Sequence, residues 1–140
     1  MPVGKIPLND AISILEKGNL GRLGCIAEGE PYVIPVNYFY DGKYIYIHSM
    51  PGRKINALRS NPRACLQIDE IVDSYNWRSV IAYGSYEEIS DEDTREQILE
   101  SIFKRVPQLT PVETKMAKSP EKTIIFRLIV DQITGVGEYW

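Results

Sequence analysis

A chain of 140 residues, 44% hydrophobic and 25% charged, has the size and make-up of one globular domain, 1–140, able to bury a core without disulfide or metal staples. A net charge of −3, with cations dispersed among acids, excludes a general nucleic-acid binder, and no run approaches the ~18 apolar residues of a membrane span. A single histidine and two distant cysteines, Cys25 and Cys65, exclude a thiol-rich metal site, so no metal is expected and both cysteines read as reduced core residues.

The start, Met1-Pro2-Val3-Gly4-Lys5, lacks the charged-then-apolar pattern of a secretion signal, so a cytoplasmic protein is expected. Asn9 suits an N-cap for a helix from Asp10 to Lys17, with Ala11, Ile12, Ile14 and Leu15 apolar and Gly18 as its stop. Arg22 to Ala27 reads as a strand, Glu28-Gly29-Glu30 as a tight reversal and Tyr32 to Tyr40 as a second strand. Asp41-Gly42 is a hairpin signal. Lys43 to Ser49 then forms a third strand, with Tyr44, Tyr46 and His48 on one face and Ile45 and Ile47 on the other.

A short helix, Arg53 to Ser60, carries Ile55 and Leu58 on one face and ends at Asn61-Pro62. Arg63 to Ile71 and Trp77 to Ile89 are two further strands, joined as a hairpin through Asp73 to Asn76, and Gly84 marks a bulge or a close backbone approach. Ser90-Asp91-Glu92-Asp93 resembles a capping box opening a helix to about Arg105, with Ile98, Leu99, Ile102 and Phe103 as its buried stripe. Val106 to Glu121 holds three prolines and reads as a surface excursion, and the apolar stretch from Thr123 to Gly135 reads as a central strand. Six strands and two or three helices, mostly joined as hairpins, predict a mainly β protein: an antiparallel barrel with helices packed outside. Nine tyrosines suit such a fold with an aromatic-lined surface or subunit contact.

Two segments carry chemistry. In His48-Ser49-Met50-Pro51-Gly52-Arg53-Lys54 a strand runs through a glycine into a helix whose first turn holds two cations. A helix start is already electropositive, so Arg53 and Lys54 work against the helix there unless an anion sits between them. Phosphate fits such a cradle; the alternative is that both side chains point into water. In Val33-Ile34-Pro35-Val36-Asn37-Tyr38 the proline gives up a ladder donor, which suits either an edge strand or a backbone facing a flat, hydrogen-bonding heterocycle. No nucleophile–base pair stands out, and one histidine supplies neither a triad nor a metal cluster.

In order, the segments PVNYFYDG, YIYIHS, MPGRK, RSNPR, ACLQID and WRSVIAYGSYEEI resemble the split-barrel flavoproteins similar to pyridoxamine 5′-phosphate oxidase, closest to the nitroimidazole-resistance group. The resemblance is strongest from Gly21 to Ile89, and its most specific piece is the run from His48 and Ser49 through Gly52-Arg53-Lys54 to Asn61-Pro62. It implies a six-stranded split β-barrel and a homodimer with FMN at the subunit interface. Arg53 and Lys54 would hold the FMN phosphate; His48 and Ser49 would line the cofactor; Pro35, Val36, Asn37 and Tyr38 would border the isoalloxazine; Trp77 and Ser79 would approach from the next strand. His48, with an ordinary pKa near 6.5, is the candidate proton donor or substrate contact, and a structural role at a strand end is the alternative.

The implied activity is FMN-dependent oxidoreduction of a small substrate, nitroaromatic or quinone-like, with NAD(P)H as reductant. The alternative is a non-catalytic barrel that binds FMN, haem or a deazaflavin. The ending Gly135-Val136-Gly137-Glu138-Tyr139-Trp140 lacks the arginine and histidine with which true pyridoxamine phosphate oxidases grip their vitamin substrate, so that oxidation is not expected.

Overall fold

Apolar residues alternate with polar ones along most of the strands, and the computed structural model, which describes residues 3–105 and 123–138, folds them into one curled antiparallel sheet. Its strands are β1 (Gly4–Lys5), β2 (Leu20–Ala27), β3 (Glu30–Asn37), β4 (Phe39–Tyr40), β5 (Tyr44–Ser49), β6 (Arg63–Asp73), β7 (Asn76–Glu88) and β8 (Ile124–Glu138). They lie in the order β3-β2-β6-β7-β8-β5-β4, with β1 added to β8. The helices are α1 (Leu8–Lys17), α2 (Arg53–Ser60) and α3 (Glu92–Arg105).

The class matches expectation, but there are eight strands rather than six. One addition is the two-residue β1. The other arises because the expected strand from Tyr32 to Tyr40 divides at Tyr38, whose amide donates to Asn19 O at 3.0 Å and whose hydroxyl donates to Leu15 O at 2.7 Å inside the core. These bonds draw the chain out of line, so that β3 stays on β2 while β4 crosses to β5.

One face of the curl is the main core. Leu23 and Cys25 of β2, Ile45 and Ile47 of β5, Leu66 and Ile68 of β6, Val80 and Ala82 of β7, and Phe126 and Leu128 of β8 point inward. α1 adds Ala11, Ile14 and Leu15, and α2 adds Ile55 and Leu58. Burying each large aliphatic side chain contributes about 1.5–3 kcal/mol. α3 lies against the opposite face at one end, packing Ile98 and Ile102 on Tyr46 and Ile125.

Local details differ from the sequence expectations for identifiable reasons. α1 begins at Leu8, because the Pro7 carbonyl accepts from Asp10 and Ala11 and the ring presets a helical φ; Asn9 is not its cap. The cap of α3 is Asp91, one residue past Ser90: its Oδ2 accepts from the Thr94 amide at 2.9 Å and from the Thr94 hydroxyl at 2.5 Å. Gly18 ends α1 with an extended backbone, and its own requirement is space, since a Cβ there would lie 1.9 Å from Ile68 Cδ1. Gly84 is the close approach that was expected, as a Cβ would lie 2.7 Å from Ile129 O. The extra residue of the adjoining bulge belongs to β8: Gly84 pairs with Val130 and Tyr83 with Gln132, leaving Asp131 over. β8 is central, between β7 and β5. The excursion expected from Val106 to Glu121 lies outside the described residues. Among the described residues no helix is long and apolar enough to cross a membrane.

Candidate functional site

β5 delivers the chain through Ser49, Met50, Pro51 and Gly52 to the start of α2. That start has no side-chain cap and no acid in its first turn, so neither offsets the helix dipole. Gly52 has extended backbone angles (φ 168°, ψ −162°), and a Cβ there would meet nothing within 4 Å among the described residues. Nothing among the described residues therefore requires glycine at 52, and they leave open space beside it.

The two cations of the turn take different directions. Arg53 is exposed, with its guanidinium 4.8 Å from the centroid of the Tyr32 ring, a cation–π placement that holds it at the mouth of the turn. Lys54 turns inward: its ammonium donates to Ser49 Oγ, and the Ser49 hydroxyl donates to Met50 O at 2.7 Å. Burial pulls the Lys54 pKa below its ordinary value. Both cations act electrostatically on the Cys25 thiol and lower its pKa, although burial outweighs them and the net shift is upward. They therefore occupy one corner of the barrel without pointing into one pocket.

A groove of 680 Å³ runs from that corner along the flank of α2. The helix supplies Arg53, Asn56 and Ser60, the far wall is the β2–β3 turn at Glu28 and Gly29, and Ile26 and Ala57 contribute apolar surface. Both turn residues have positive φ (53° and 79°), the backbone that a tight two-residue hairpin needs.

The remaining residues expected at the site are divided by the strand alternation. Ser49 faces inward, whereas His48 shares the opposite face with Tyr44 and Tyr46. His48 is buried there, with Phe103 of α3 at 5.3 Å between ring centroids and 64° between planes. Val36 and Tyr38 are core residues. Pro35 is on edge strand β3, opposite Arg22, and with Asn37, Trp77 and Ser79 it lies on the outer face. There Gln67 donates to Ser79 Oγ and to Asp69, each at 3.0 Å, and Arg22 donates to Asp69 at 2.9 Å. Trp77 Nε1 donates to Glu138 at 3.2 Å. The structure thus groups Arg53, Lys54 and Ser49 at the α2 corner and Pro35, Asn37, Trp77 and Ser79 on the outer face.

Sequence reasoning missed two features. One is the α2 flank, Asn56 and Ser60, whose only signal was polar residues spaced one helical turn apart. The other is a 390 Å³ recess on the outer face, where Gly24 leaves room above Cys65 between Val33 and Tyr83. Cys25 is a buried core residue as expected, whereas Cys65 is only partly buried; both border this recess. Burial raises the pKa of both thiols, so both are protonated at neutral pH.

This geometry has known counterparts. A crystal structure of a FAD-binding protein from Mesorhizobium loti is 29% identical, with a TM-score of 0.79 over 98% of this chain and 99% of that one. A candidate 5-nitroimidazole antibiotic resistance protein from Bacteroides thetaiotaomicron shares the fold at 23% identity and a TM-score of 0.77, over 98% of this chain and 89% of that one. An uncharacterised protein of Rhizobium meliloti is 41% identical over 76 residues, which are 54% of this chain and half the length of that relative. The profile of the family described as pyridoxamine 5′-phosphate oxidase matches residues 8–136, so the chain belongs to the pyridoxamine 5′-phosphate oxidase family.

Proposed function

We propose that this chain is a flavin-dependent oxidoreductase that holds the FMN moiety of its cofactor at the α2 corner, and that it acts on a small nitroaromatic or quinone-like substrate with NAD(P)H as reductant. The observation that carries the reading is the turn itself. An exposed guanidinium fixed over Tyr32 sits beside an uncapped helix start with no acid, and a glycine whose missing side chain leaves space that no described residue fills adjoins it. That donor set suits a phosphate monoester.

In this reading Arg53 and the first amides of α2 bind the phosphate. Lys54 adds positive potential from inside and fixes Ser49 and the Met50 carbonyl. The isoalloxazine lies over the outer face, bordered by Pro35 and Asn37, with Trp77 and Ser79 reaching it from β7. When bound, the flavin supplies the hydride or electron transfer, and the protein orients and shields it. Few catalytic side chains are then needed, which agrees with the absence of an obvious nucleophile–base pair. His48 serves as proton donor only with Phe103 displaced; as placed, it anchors the end of β5 beneath α3.

A second copy of the chain completes the site. Supporting this, the part of the outer face that no described residue covers exposes Val33 (66%), Ile26, Ile129 and Val136, and the adjoining β6–β7 hairpin tip exposes Ile71 and Val72 (82%). Apolar surface of that extent on one side of a sheet suits burial against another subunit.

The test is the absorbance of the purified protein. Flavin bands that bleach under anaerobic NAD(P)H support the oxidoreductase. Flavin bands that do not bleach support the non-catalytic barrel, and a Soret band supports haem. Colourless protein that takes up neither flavin nor haem removes every cofactor reading.

A further inference from the structure

Most of the large apolar side chains left exposed are gathered at one end of the sheet. Ile71, Val72 and Tyr75 stand on the β6–β7 hairpin tip. Leu20 and Val136 lie on the strands that end beside its base, and Leu8 shares a cleft with Val136. We infer that the tip of one copy seats in the cleft between β1, α1 and β8 of a second copy, and that the second copy's tip returns the contact. The inference rests on the homodimer proposed above and goes further, naming the segment that reaches across and the surface that receives it.

The tip projects beyond its neighbours. β2 pairs with β6 only as far as Gln67, so the β6 edge from Glu70 to Asp73 has no strand beside it among the described residues. A bulge between Ile71 and Asp73 leaves Val72 without a cross-strand partner. Neither Ile71 nor Val72 joins the core, so the fold gains nothing from their being apolar. The cleft offers a matching edge. β8 pairs with β5 up to Ile129 and with β1 from Val136, and between them Ile133 and Thr134 have a strand beside them on the β7 side alone, among the described residues. Those two line the cleft, a space of 250 Å³ walled by Ile6, Leu8 and Ala11. A free strand edge beside an apolar pocket suits an added strand, whose backbone supplies affinity while its side chains supply the fit.

Charge and symmetry agree with this pairing. Glu70 and Asp73 flank the apolar pair on the tip, and Lys5, exposed at the cleft, makes no ion pair among the described residues. Val136 lines the cleft and is exposed on the outer face, so the cleft continues the proposed subunit contact. Tip and cleft also lie at the same end of the molecule, as a twofold dimer requires if each copy is to give one tip and receive another.

The experiment measures self-association of the full chain by sedimentation equilibrium. The native chain is expected to be a dimer. Val72→Asp on the tip and Leu8→Asp in the cleft are each expected to weaken it at least about tenfold while melting remains cooperative. Lys5→Glu and Glu70→Lys are each expected to weaken it less, and the two reversals combined to restore most of the loss, which a contact elsewhere would not do. A native dimer whose affinity none of these variants changes overturns the inference and leaves the outer-face contact standing, as does a combined reversal no tighter than the single ones. A native monomer overturns both.

Discussion

The two faces of β6 lie one residue apart and have opposite chemistry. Inward, Leu66 and Ile68 are sealed in the main core; outward, Gln67 and Asp69 join Arg22 and Ser79 in a hydrogen-bonded row that remains open. The inner face is apolar, mostly aliphatic with Tyr38, Tyr40 and Phe126 among it, and the helices α1 and α2 complete it. The outer face mixes that polar row with exposed aliphatics and a recess above Cys65. A sheet that needed only to fold would carry a polar outer face. The exposed aliphatics, with Pro35, Asn37, Trp77 and Ser79 on the same face, are what the proposed cofactor and subunit contacts rest on.

The comparison can be sharpened from its strongest contrast downward. Leu66→Ala is expected to cost about 2–5 kcal/mol in urea unfolding, whereas Gln67→Ala next to it should cost less than about 1 kcal/mol. Similar losses at the two positions would erase the distinction between the faces. Arg53→Ala is expected to weaken flavin binding by ~1.5–3 kcal/mol with stability unchanged, and titration showing unchanged affinity would remove Arg53 from the site. For the proposed outer-face dimer, sedimentation is expected to give a dimer for the native chain and a folded monomer for Val33→Asp, with its melting curve still cooperative; a native monomer would remove the subunit contact, and a variant that stays dimeric would move it elsewhere.

A smaller effect concerns pH. Arg59 donates to Glu88, which also accepts from the Tyr86 hydroxyl, and these bonds hold the Glu88 carboxyl below its usual range. A carboxylate with a depressed folded pKa adds stability above its unfolded pKa near 4.5 and loses it as pH falls through the folded value. The melting temperature of Glu88→Gln should therefore fall less than that of the native protein as the solution is acidified below pH 4.5; parallel curves would show that the carboxylate adds nothing. The same Glu88 keeps the Tyr86 hydroxyl protonated well above its ordinary pKa, after burial as the larger cause.

Much of the fold was legible because it is written in short-range pattern. α2 was expected at Arg53 to Ser60 and lies there, since Ile55 and Leu58 set its buried side and Asn61-Pro62 stops it. The division of β5 into a Tyr44–Tyr46–His48 face and an Ile45–Ile47 face also follows from alternation alone. The cation pair at the helix start was equally visible. What the pattern lacked was the long-range partner. Tyr38 breaks its strand because Leu15 and Asn19, far back in the chain, offer it acceptors. Lys54 turns inward because Ser49 Oγ waits at the end of β5.

Taken alone, the amino-acid sequence determined the strand and helix periods, the hairpin turns and the placement of two cations and a glycine at one helix start, because each depends on neighbours within a few residues. The tertiary structure alone decided which sheet face would be sealed and which left open, that His48 and Ser49 would serve opposite faces of one strand, and that α2 would border a groove. Those outcomes depend on which distant segments pack together. A side chain's orientation follows from its own strand, but whether it meets core, helix or open space depends on what the rest of the chain lays over it.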